Sequence, residues 1–258
     1  MRAVLLDLDD TLIEEVAHAR SQLRLTADLL DGVDPDTWDD VVIDSARALW
    51  YASPYYPEFR QLGFASWEGL WATFEGVHPR LEGLASWSGD YRRLAWRSAL
   101  RAGGGDTHGT DAHVDALVDA LSARYVEGQR SGHPELPGAV ELVQRLAAAV
   151  PVAVVTNGPP DIQRLKIEQL GIGPLLSAVV ISGETGIGKP DPAAYGRALE
   201  ILGVAPEHAV MVGDSWQRDV EGALGAGMRA VWISHGHPAP ASDPRVSVAR
   251  GPRDVALA

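Results

Sequence analysis

The sequence of 258 residues contains no cysteine, and that absence excludes several kinds of site. Disulfide frameworks, zinc–thiolate centres, iron–sulfur clusters and thiol nucleophiles all depend on cysteine sulfur. A chain of this length buries enough apolar surface to fold without covalent cross-links. The absence of cysteine is therefore compatible with a stable fold, and it is typical of proteins from a reducing compartment.

Positive charge is also scarce, because 22 lysine and arginine residues face 35 aspartate and glutamate residues, for a formal net charge of −13. A nucleic-acid groove or a surface for anionic membranes needs a basic face, so we expect neither partner. No apolar run approaches the roughly 18 residues of a membrane span. The first run ends at Asp7, too early for a signal peptide. These features predict a cytoplasmic protein and leave its oligomeric state open.

Five short runs that are apolar on both faces predict the strands of a buried parallel sheet. Between them lie helical patterns, near 138–149, 160–170, 192–202 and 216–226. Alternation of this kind predicts an α/β fold with a doubly wound parallel sheet. A sixth, short strand is expected near Val246–Val248. The five runs are Ala3–Leu6, Val152–Val155, Ala178–Ile181, Ala209–Val212 and Ala230–Ile233.

Residues 14–130 have a different composition, with 14 of the 17 aromatic residues and few strand-like runs. Large aromatic side chains suit the packed core of a helical module. We therefore predict an α-helical cap at 14–130, inserted into an α/β core formed by 1–13 and 131–258. The helical patterns in the cap lie near 14–31, 35–51, 66–76, 87–102 and 111–128.

Polar residues follow four of the predicted strands, three of them directly. Because ligands of open α/β sheets bind beyond the carboxyl ends of the strands, these residues are expected to lie together. Lys189, one of two lysines beside 20 arginines, follows the third strand after a glycine-rich loop. The other clusters are Asp7-Leu8-Asp9-Asp10-Thr11, Thr156-Asn157-Gly158, and Gly213-Asp214-Ser215 with Asp219 five residues beyond Asp214.

The carboxylates in these clusters predict a cation site. Asp7 and Asp9 are two residues apart in an extended segment and so point to one side, whereas Asp10 points away and has no assigned catalytic role. Facing Asp214 and Asp219, the pair would repel unless a cation or a proton lay between them. Hard oxygen ligands suit Mg²⁺, which also bridges to substrate phosphate.

These residue types also suit phosphoryl transfer. One carboxylate can attack phosphorus while another moves protons to the leaving oxygen and from water. Lys189 can neutralise charge on the transferring oxygens, and Thr156 and Asn157 can donate hydrogen bonds to them. The sequence therefore predicts a small phosphorylated metabolite as the substrate.

In this order and spacing, the four clusters resemble the motifs of the haloacid dehalogenase-like superfamily of aspartyl-phosphate hydrolases. The third motif is matched by Gly188-Lys189-Pro190-Asp191-Pro192, and the fourth by residues 213–219. The position and helical character of the insertion resemble the caps of the superfamily's first subclass. The resemblance implies a phosphatase with a Rossmann-like core.

Roles for individual residues follow from the same resemblance. It implies that Asp7 is the nucleophile and Asp9 the general acid and base. Mg²⁺ would be bound by Asp214 and Asp7 together with the main-chain carbonyl of Asp9. Asp219 would ligate the metal through water or hold Lys189 in place.

The presence of Asp9 favours a phosphatase over a dehalogenase, because a phosphate ester leaves as an alkoxide that needs a proton and a halide does not. A phosphomutase of the β-phosphoglucomutase type remains the first alternative. A 2-haloacid dehalogenase is the next, followed by a non-catalytic binding or regulatory homologue.

Two further motifs indicate no separate site. Residues 183–190 approach the nucleotide-binding pattern G-x-x-x-x-G-K-[ST]. Pro190, however, supplies neither the hydroxyl group nor the amide that this loop needs. His235 and His237 could ligate a metal, but no run of carboxylates lies beside them in the sequence. We therefore expect neither a triphosphate site nor a histidine-bound metal.

Overall fold

Six parallel strands form a single sheet in the computed structural model, which describes residues 1–104 and 110–256. The strand order is β3-β2-β1-β4-β5-β6. All the predicted strands are present, including the short one near the end of the chain, so the predicted fold class is confirmed. Their bounds are β1 (Ala3–Leu6), β2 (Val152–Thr156), β3 (Ala178–Ile181), β4 (Ala209–Gly213), β5 (Arg229–Ile233) and β6 (Val246–Ala249).

Helices connect the successive strands from β1 to β5 along the chain. A π-helical turn, Trp216–Glu221, leads directly into the last helix, so the helix predicted at 216–226 is replaced by two short pieces. The helices are α1 (Glu15–Thr26), α2 (Pro35–Tyr51), α3 (Tyr56–Leu62), α4 (Leu84–Ala102), α5 (Asp111–Arg130), α6 (Ala139–Ala147), α7 (Pro160–Gln169), α8 (Ser182–Thr185), α9 (Pro192–Leu202) and α10 (Gly222–Gly225).

Both faces of the central strands β1, β2 and β4 are buried, which explains why these strands are almost entirely apolar. On β1, Val4 and Leu6 join an apolar cluster that contains the inner face of α6. Ala3 and Leu5 point the other way and join a cluster that contains the inner face of α9. Strands covered on both sides need continuous apolar sequence rather than alternation, and this arrangement is the predicted doubly wound sheet.

Helices α1 to α5 all lie between β1 and β2 in the chain. They share an apolar cluster that includes the buried Trp38, Trp50, Trp71 and Trp96 and extends to Ile162 of α7. Most of the aromatic residues of this segment therefore belong to its packed core, whereas Tyr51 is exposed. The division of the chain at residues 13 and 130 stays a prediction. None of the described helices is both long enough and apolar enough to cross a membrane.

One predicted helix of the insertion is wrong and another was missed. Within 66–76 only the turn Glu68–Leu70 forms. Trp71, with a φ of −139°, ends this turn, and Phe74, with a φ of +58°, cannot belong to a right-handed helix. The missed helix is α3. It has Pro57 in its first turn and ends at Gly63 in the left-handed conformation, two signals that the sequence offered.

Candidate active site

The site lies where the order of the strands reverses. The chain leaves β1 for β2 on one side and later returns to β4 on the other, so the carboxyl ends of β1 and β4 are neighbours. The Asp7 amide donates a hydrogen bond to the Val212 carbonyl at 2.9 Å. This pairing carries Asp7 and Asp214 to the same edge of the sheet, the usual position of a ligand site in this class of fold.

Thr11 joins the two loops that leave these strands. The Asp214 amide donates to Thr11 Oγ1 at 3.0 Å, and Thr11 Oγ1 lies 3.3 Å from Asp214 Oδ1. The Thr11 side chain is fully buried. Sequence analysis had placed Thr11 in the first cluster without giving it this contact, because the contact depends on how β1 and β4 pair.

Lys189 forms ion pairs with two of the carboxylates. Its Nζ lies 2.7 Å from Asp7 Oδ1 and 2.6 Å from Asp219 Oδ1. Asp219 Oδ2 accepts a hydrogen bond from the Ser215 amide at 2.9 Å, so both of its oxygens have donors. A Cβ atom at Gly213 would lie 2.3 Å from the Asp219 carboxyl group, so this close approach requires glycine.

Three carboxyl groups meet beside this lysine. One oxygen from each of Asp7, Asp214 and Asp219 lies within 4.8 Å of the others. Burial and the negative charge of Asp219 raise the pKa of Asp7 to about 7, although Lys189 acts in the opposite direction. Burial and the charge of Asp7 also raise the pKa of Asp214 to about 7. Such a group resists ionisation unless a cation is present.

Asn157 contacts the backbone of Lys189. Asn157 Nδ2 donates to the Lys189 carbonyl at 2.8 Å, and the Lys189 amide donates to Asn157 Oδ1 at 2.8 Å. Thr156 Oγ1 accepts a hydrogen bond from Gln163 at 2.6 Å. Asn157 lines the cavity described below and Thr156 does not. Both residues were predicted to bind phosphate. Asn157 holds the backbone of Lys189, whereas Thr156 lies behind the cavity wall.

Asp9 is held by helix α7 through two side chains that sequence analysis did not single out. Lys166 Nζ lies 2.8 Å from Asp9 Oδ1, and Gln163 Nε2 donates to Asp9 Oδ2 at 2.8 Å. Both α7 side chains are fully buried. One signal was available, since Lys166 and Lys189 are the two lysines of the sequence.

Lys166 also reaches two acidic residues of the helical insertion. Its Nζ lies 2.8 Å from Glu15 Oε2 and 3.9 Å from Glu68 Oε1. Burial raises the pKa of Glu68 to about 8 despite the attraction of Lys166. Burial would lower the pKa of Lys166, but Asp9, Glu15 and Glu68 together raise it. Lys166 is therefore a buried cation shared between the core and the insertion.

The Asp10 side chain turns toward the start of α1, although Asp10 also lines the cavity described below. Its Oδ1 accepts hydrogen bonds from the Glu15 and Val16 amides at 3.0 and 3.2 Å, at the start of α1. A carboxylate there satisfies free backbone donors. The main-chain carbonyl of Asp10 lies 2.7 Å from His235 Nε2. One of the two histidines near the end of the chain therefore forms a hydrogen bond with the loop after β1.

A cavity of about 480 Å³ opens above these residues. Asp7, Asp9, Asp214 and Lys189 form its floor. The insertion supplies the opposite wall, with Glu15 and Glu68, Arg47 and Arg60, and several aromatic rings. The aromatic residues that line it are Trp50, Tyr51, Tyr56, Phe59, Phe64 and Trp67.

The sequence matches the haloacid dehalogenase-like hydrolase family over residues 1–227. The phosphoserine phosphatase of Thermus thermophilus is 39% identical over 237 residues, which cover 92% of this chain and 90% of that protein. The phosphoglycolate phosphatase of Pseudomonas putida is 30% identical over 177 residues, covering 65% of this chain and 63% of that protein.

Solved structures show the same fold. The putative HAD-hydrolase YfnB of Bacillus subtilis has a TM-score of 0.63 at 19% identity, covering 98% of this chain and 95% of that chain. The 2-haloacid dehalogenase of Pseudomonas syringae pv. Tomato has a TM-score of 0.58 at 23% identity, with the same coverages.

The fold, the family match and the acidic site at the strand ends all indicate the same family of proteins. The chain belongs to the haloacid dehalogenase-like hydrolase family. Within that family it is a phosphatase, a hydrolase of phosphoric monoesters, as its similarity to the Thermus enzyme over nearly the whole length of both chains indicates.

Proposed function

We propose that this phosphatase hydrolyses a small phosphate monoester in a Mg²⁺-dependent reaction, through an aspartyl-phosphate on Asp7. One observation carries the proposal. Asp7 lies at the reversal of strand order, on the floor of the cavity, with its carboxyl group oriented by Lys189 Nζ at 2.7 Å and by the Leu8 amide at 2.8 Å. A carboxylate fixed in this way can attack phosphorus with little reorganisation.

The donor set fits Mg²⁺. Carboxylate oxygens are the ligands that this ion prefers, and the three carboxyl groups that meet here hold their protons too tightly without a cation. Asp7 and Asp214 would hold the ion with the main-chain carbonyl of Asp9. Bound there, Mg²⁺ supplies positive charge that offsets the negative charge of the phosphoryl oxygens.

Two displacements at phosphorus account for the hydrolysis. A carboxylate oxygen of Asp7 forms a bond to phosphorus while the bond to the ester oxygen breaks, and Asp9 gives its proton to that departing oxygen. Asp9, now ionised, then takes a proton from water as the water oxygen attacks the phosphorus. The products are the alcohol and orthophosphate, and Asp7 is restored.

Lys189 stabilises charge on the transferring group. Its ammonium group lies beside Asp7, where the phosphoryl oxygens would be placed. Asp219 and Asn157 position Lys189, the first through its Nζ and the second through its backbone. Thr156 does not line the cavity and supports the site from behind, through the hydrogen bond that it accepts from Gln163.

Phosphoserine is the first substrate to test. The Thermus relative that covers most of this chain is a phosphoserine phosphatase. The cavity wall carries Arg47 and Arg60, which suit the carboxylate of an amino-acid leaving group, whereas Glu15 and Glu68 already lie close to Lys166. We therefore propose a phosphorylated amino acid as the substrate class.

The test is a phosphate-release screen across phosphorylated amino acids, sugars and nucleotides with Mg²⁺. Wild-type protein should release orthophosphate, and Asp7→Asn should lower turnover by at least about 10³-fold because no nucleophile remains. Asp115→Asn removes an acid from a partly buried ion pair with Arg97 outside the cavity lining and serves as a control for the loss of charge. A rearranged sugar phosphate would indicate a mutase, and halide release from a haloacid would indicate a dehalogenase. Wild-type turnover in Asp7→Asn would refute the proposal.

A further inference from the structure

Helix α7 presents two buried polar side chains to one catalytic carboxyl group. Gln163 and Lys166 are three residues apart and so lie on the same face of the helix. Each contacts a different oxygen of Asp9, both at 2.8 Å. We infer that Gln163 and Lys166 are positioning residues that aim the Asp9 carboxyl group at the leaving-group oxygen, an inference that rests on the function proposed above.

Asp9 needs such support because it lies in a loop among other acids. Asp7 is two residues before it, and Asp10 follows with a φ of +51°. Repulsion between the carboxylates would turn the Asp9 side chain away from the reacting group unless a cation held it. Lys166 provides that cation, and Gln163 fixes the rotation of the carboxyl group by occupying its second oxygen.

The burial of Lys166 argues that its position matters. Removing an ammonium group from water is unfavourable unless several acceptors replace the water. Lys166 is fully buried, and its carboxylate neighbours come from two parts of the chain, Asp9 from the core and Glu15 and Glu68 from the insertion. An exposed side chain on the same helix, Arg164, forms only a surface pair with Glu184 and provides a matched control.

Gln163 ties Asp9 to a second part of the site. The same Nε2 that donates to Asp9 lies 2.6 Å from Thr156 Oγ1, at the end of β2. A Cβ atom at Gly158 would lie 2.8 Å from the Gln163 carboxamide carbon, so the β2 loop packs tightly against this side chain. Helix α7 therefore fixes the acid and base residue relative to the neighbouring strand end.

The experiment measures how kcat/KM depends on the leaving group. The substrates are phenyl phosphates of similar size whose phenols differ in acidity. When a general acid protonates the leaving oxygen, the rate depends weakly on phenol acidity, and when that acid is lost or misplaced the dependence steepens. A variant that damages only the fold lowers every substrate by the same factor and leaves the slope unchanged.

We expect Lys166→Met and Gln163→Met to steepen the slope. For the least acidic phenol, kcat/KM should fall by about 10- to 100-fold, and for the most acidic by less than about threefold, because misplacing a general acid removes part of its contribution of about 10²–10⁴. Arg164→Met should leave the slope at the wild-type value. If Lys166→Met fails to fold, Gln163→Met still tests the inference. The Gln163 substitution leaves no buried charge unpaired, so this variant is expected to fold.

Asp9→Asn separates the inference from the function on which it rests. A steep slope for Asp9→Asn beside wild-type slopes for both α7 variants would overturn the positioning role alone. A wild-type slope for Asp9→Asn would refute the acid and base role of Asp9, and the inference with it. Steep slopes in all three variants would support both.

Discussion

The Asp214 amide donates a hydrogen bond to the Thr11 hydroxyl at 3.0 Å, although 203 positions separate the two residues in the chain. The contact joins the loop after β1 to the loop after β4 within the buried floor of the site. Since the proposed nucleophile belongs to one loop and a proposed metal ligand to the other, Thr11 fixes their relative position.

Thr11→Val should therefore lower activity more than stability. The substitution keeps the shape of the side chain but removes the hydroxyl group that Asp214 contacts, so the Asp214 loop loses an anchor. We expect kcat/KM to fall by about 10- to 100-fold, as is typical for the loss of an outer-shell contact at a metal site. Kinetics on an aryl phosphate provide the measurement, with urea unfolding beside it. Thr11→Ser retains the hydroxyl group and should stay within about threefold of wild type.

The raised pKa values of Asp7 and Asp214 predict a pH-dependent stability in metal-free protein. Both are about 7 in the folded chain and about 3.9 when unfolded. Between these values the folded state holds more protons, so these groups make stability fall as pH rises from about 4 to about 7, by roughly 1.4 kcal/mol per pH unit for each extra proton.

Urea unfolding of wild type and Asp214→Asn, at pH 5.5 and 7.5 with a chelator, tests whether the free energy of unfolding falls as pH rises. The comparison is needed because burial lowers the pKa values of His18 and His133 to about 4, which acts in the opposite direction. Wild type should lose stability relative to the variant at the higher pH. Mg²⁺ should stabilise wild type at pH 7.5 more than at pH 5.5, since protons compete with the metal. Equal stabilisation at both values would contradict a carboxylate-bound ion.

Asp219 should prove to be a support for Lys189 rather than a metal ligand, because both of its oxygens already have donors. Asp219→Asn should lower kcat by about 10- to 100-fold while the Mg²⁺ concentration for half-maximal activity changes by less than about threefold. Asp214→Asn, in contrast, should raise that concentration by more than about tenfold. A titration of activity against Mg²⁺ distinguishes the two roles, and a matching rise for both variants would make Asp219 a ligand.

Gly63→Ala should damage the site from the side of the insertion. Gly63 has a φ of +71°, and a Cβ atom there would lie 2.6 Å from Asn157 Nδ2, so alanine would push Asn157 away from Lys189. Gly32→Ala is the control, because Gly32 has a φ of +75° but no atom within 4 Å of a Cβ. Both should lose about 1–2 kcal/mol of stability from backbone strain, and Gly63→Ala alone should also lose activity. Equal activity in the two variants would contradict the proposal that Asn157 positions Lys189.

The sheet and the floor of the site could be predicted because they depend on local patterns. Buried parallel strands are apolar on both faces, and their carboxyl ends share one edge, so the clusters containing Asp7, Asp214 and Lys189 could be placed together from sequence. In the structure Lys189 contacts Asp7 and Asp219, and one oxygen of Asp214 lies within 4.8 Å of an oxygen of each of these two carboxyl groups.

The support around Asp9 could not be predicted in the same way. Whether Gln163 and Lys166 face Asp9 depends on the rotation of α7 about its axis and on the packing of the helix against the β1 loop. Neither is a property of any short segment. The error at 66–76 has a similar origin, since Glu68 turns inward to accept the Ala65 amide at 2.7 Å and to approach Lys166.

Both lysines of this sequence are in the protein interior, at 0% and 2% exposure. Reagents that acylate lysine side chains should therefore leave the native protein almost untouched at these positions and modify them once it opens. The rate of such labelling, followed by mass spectrometry after cleavage at glutamate, would report the exposure of Lys166 and of Lys189 separately, because Glu168 and Glu184 lie between the two lysines in the sequence.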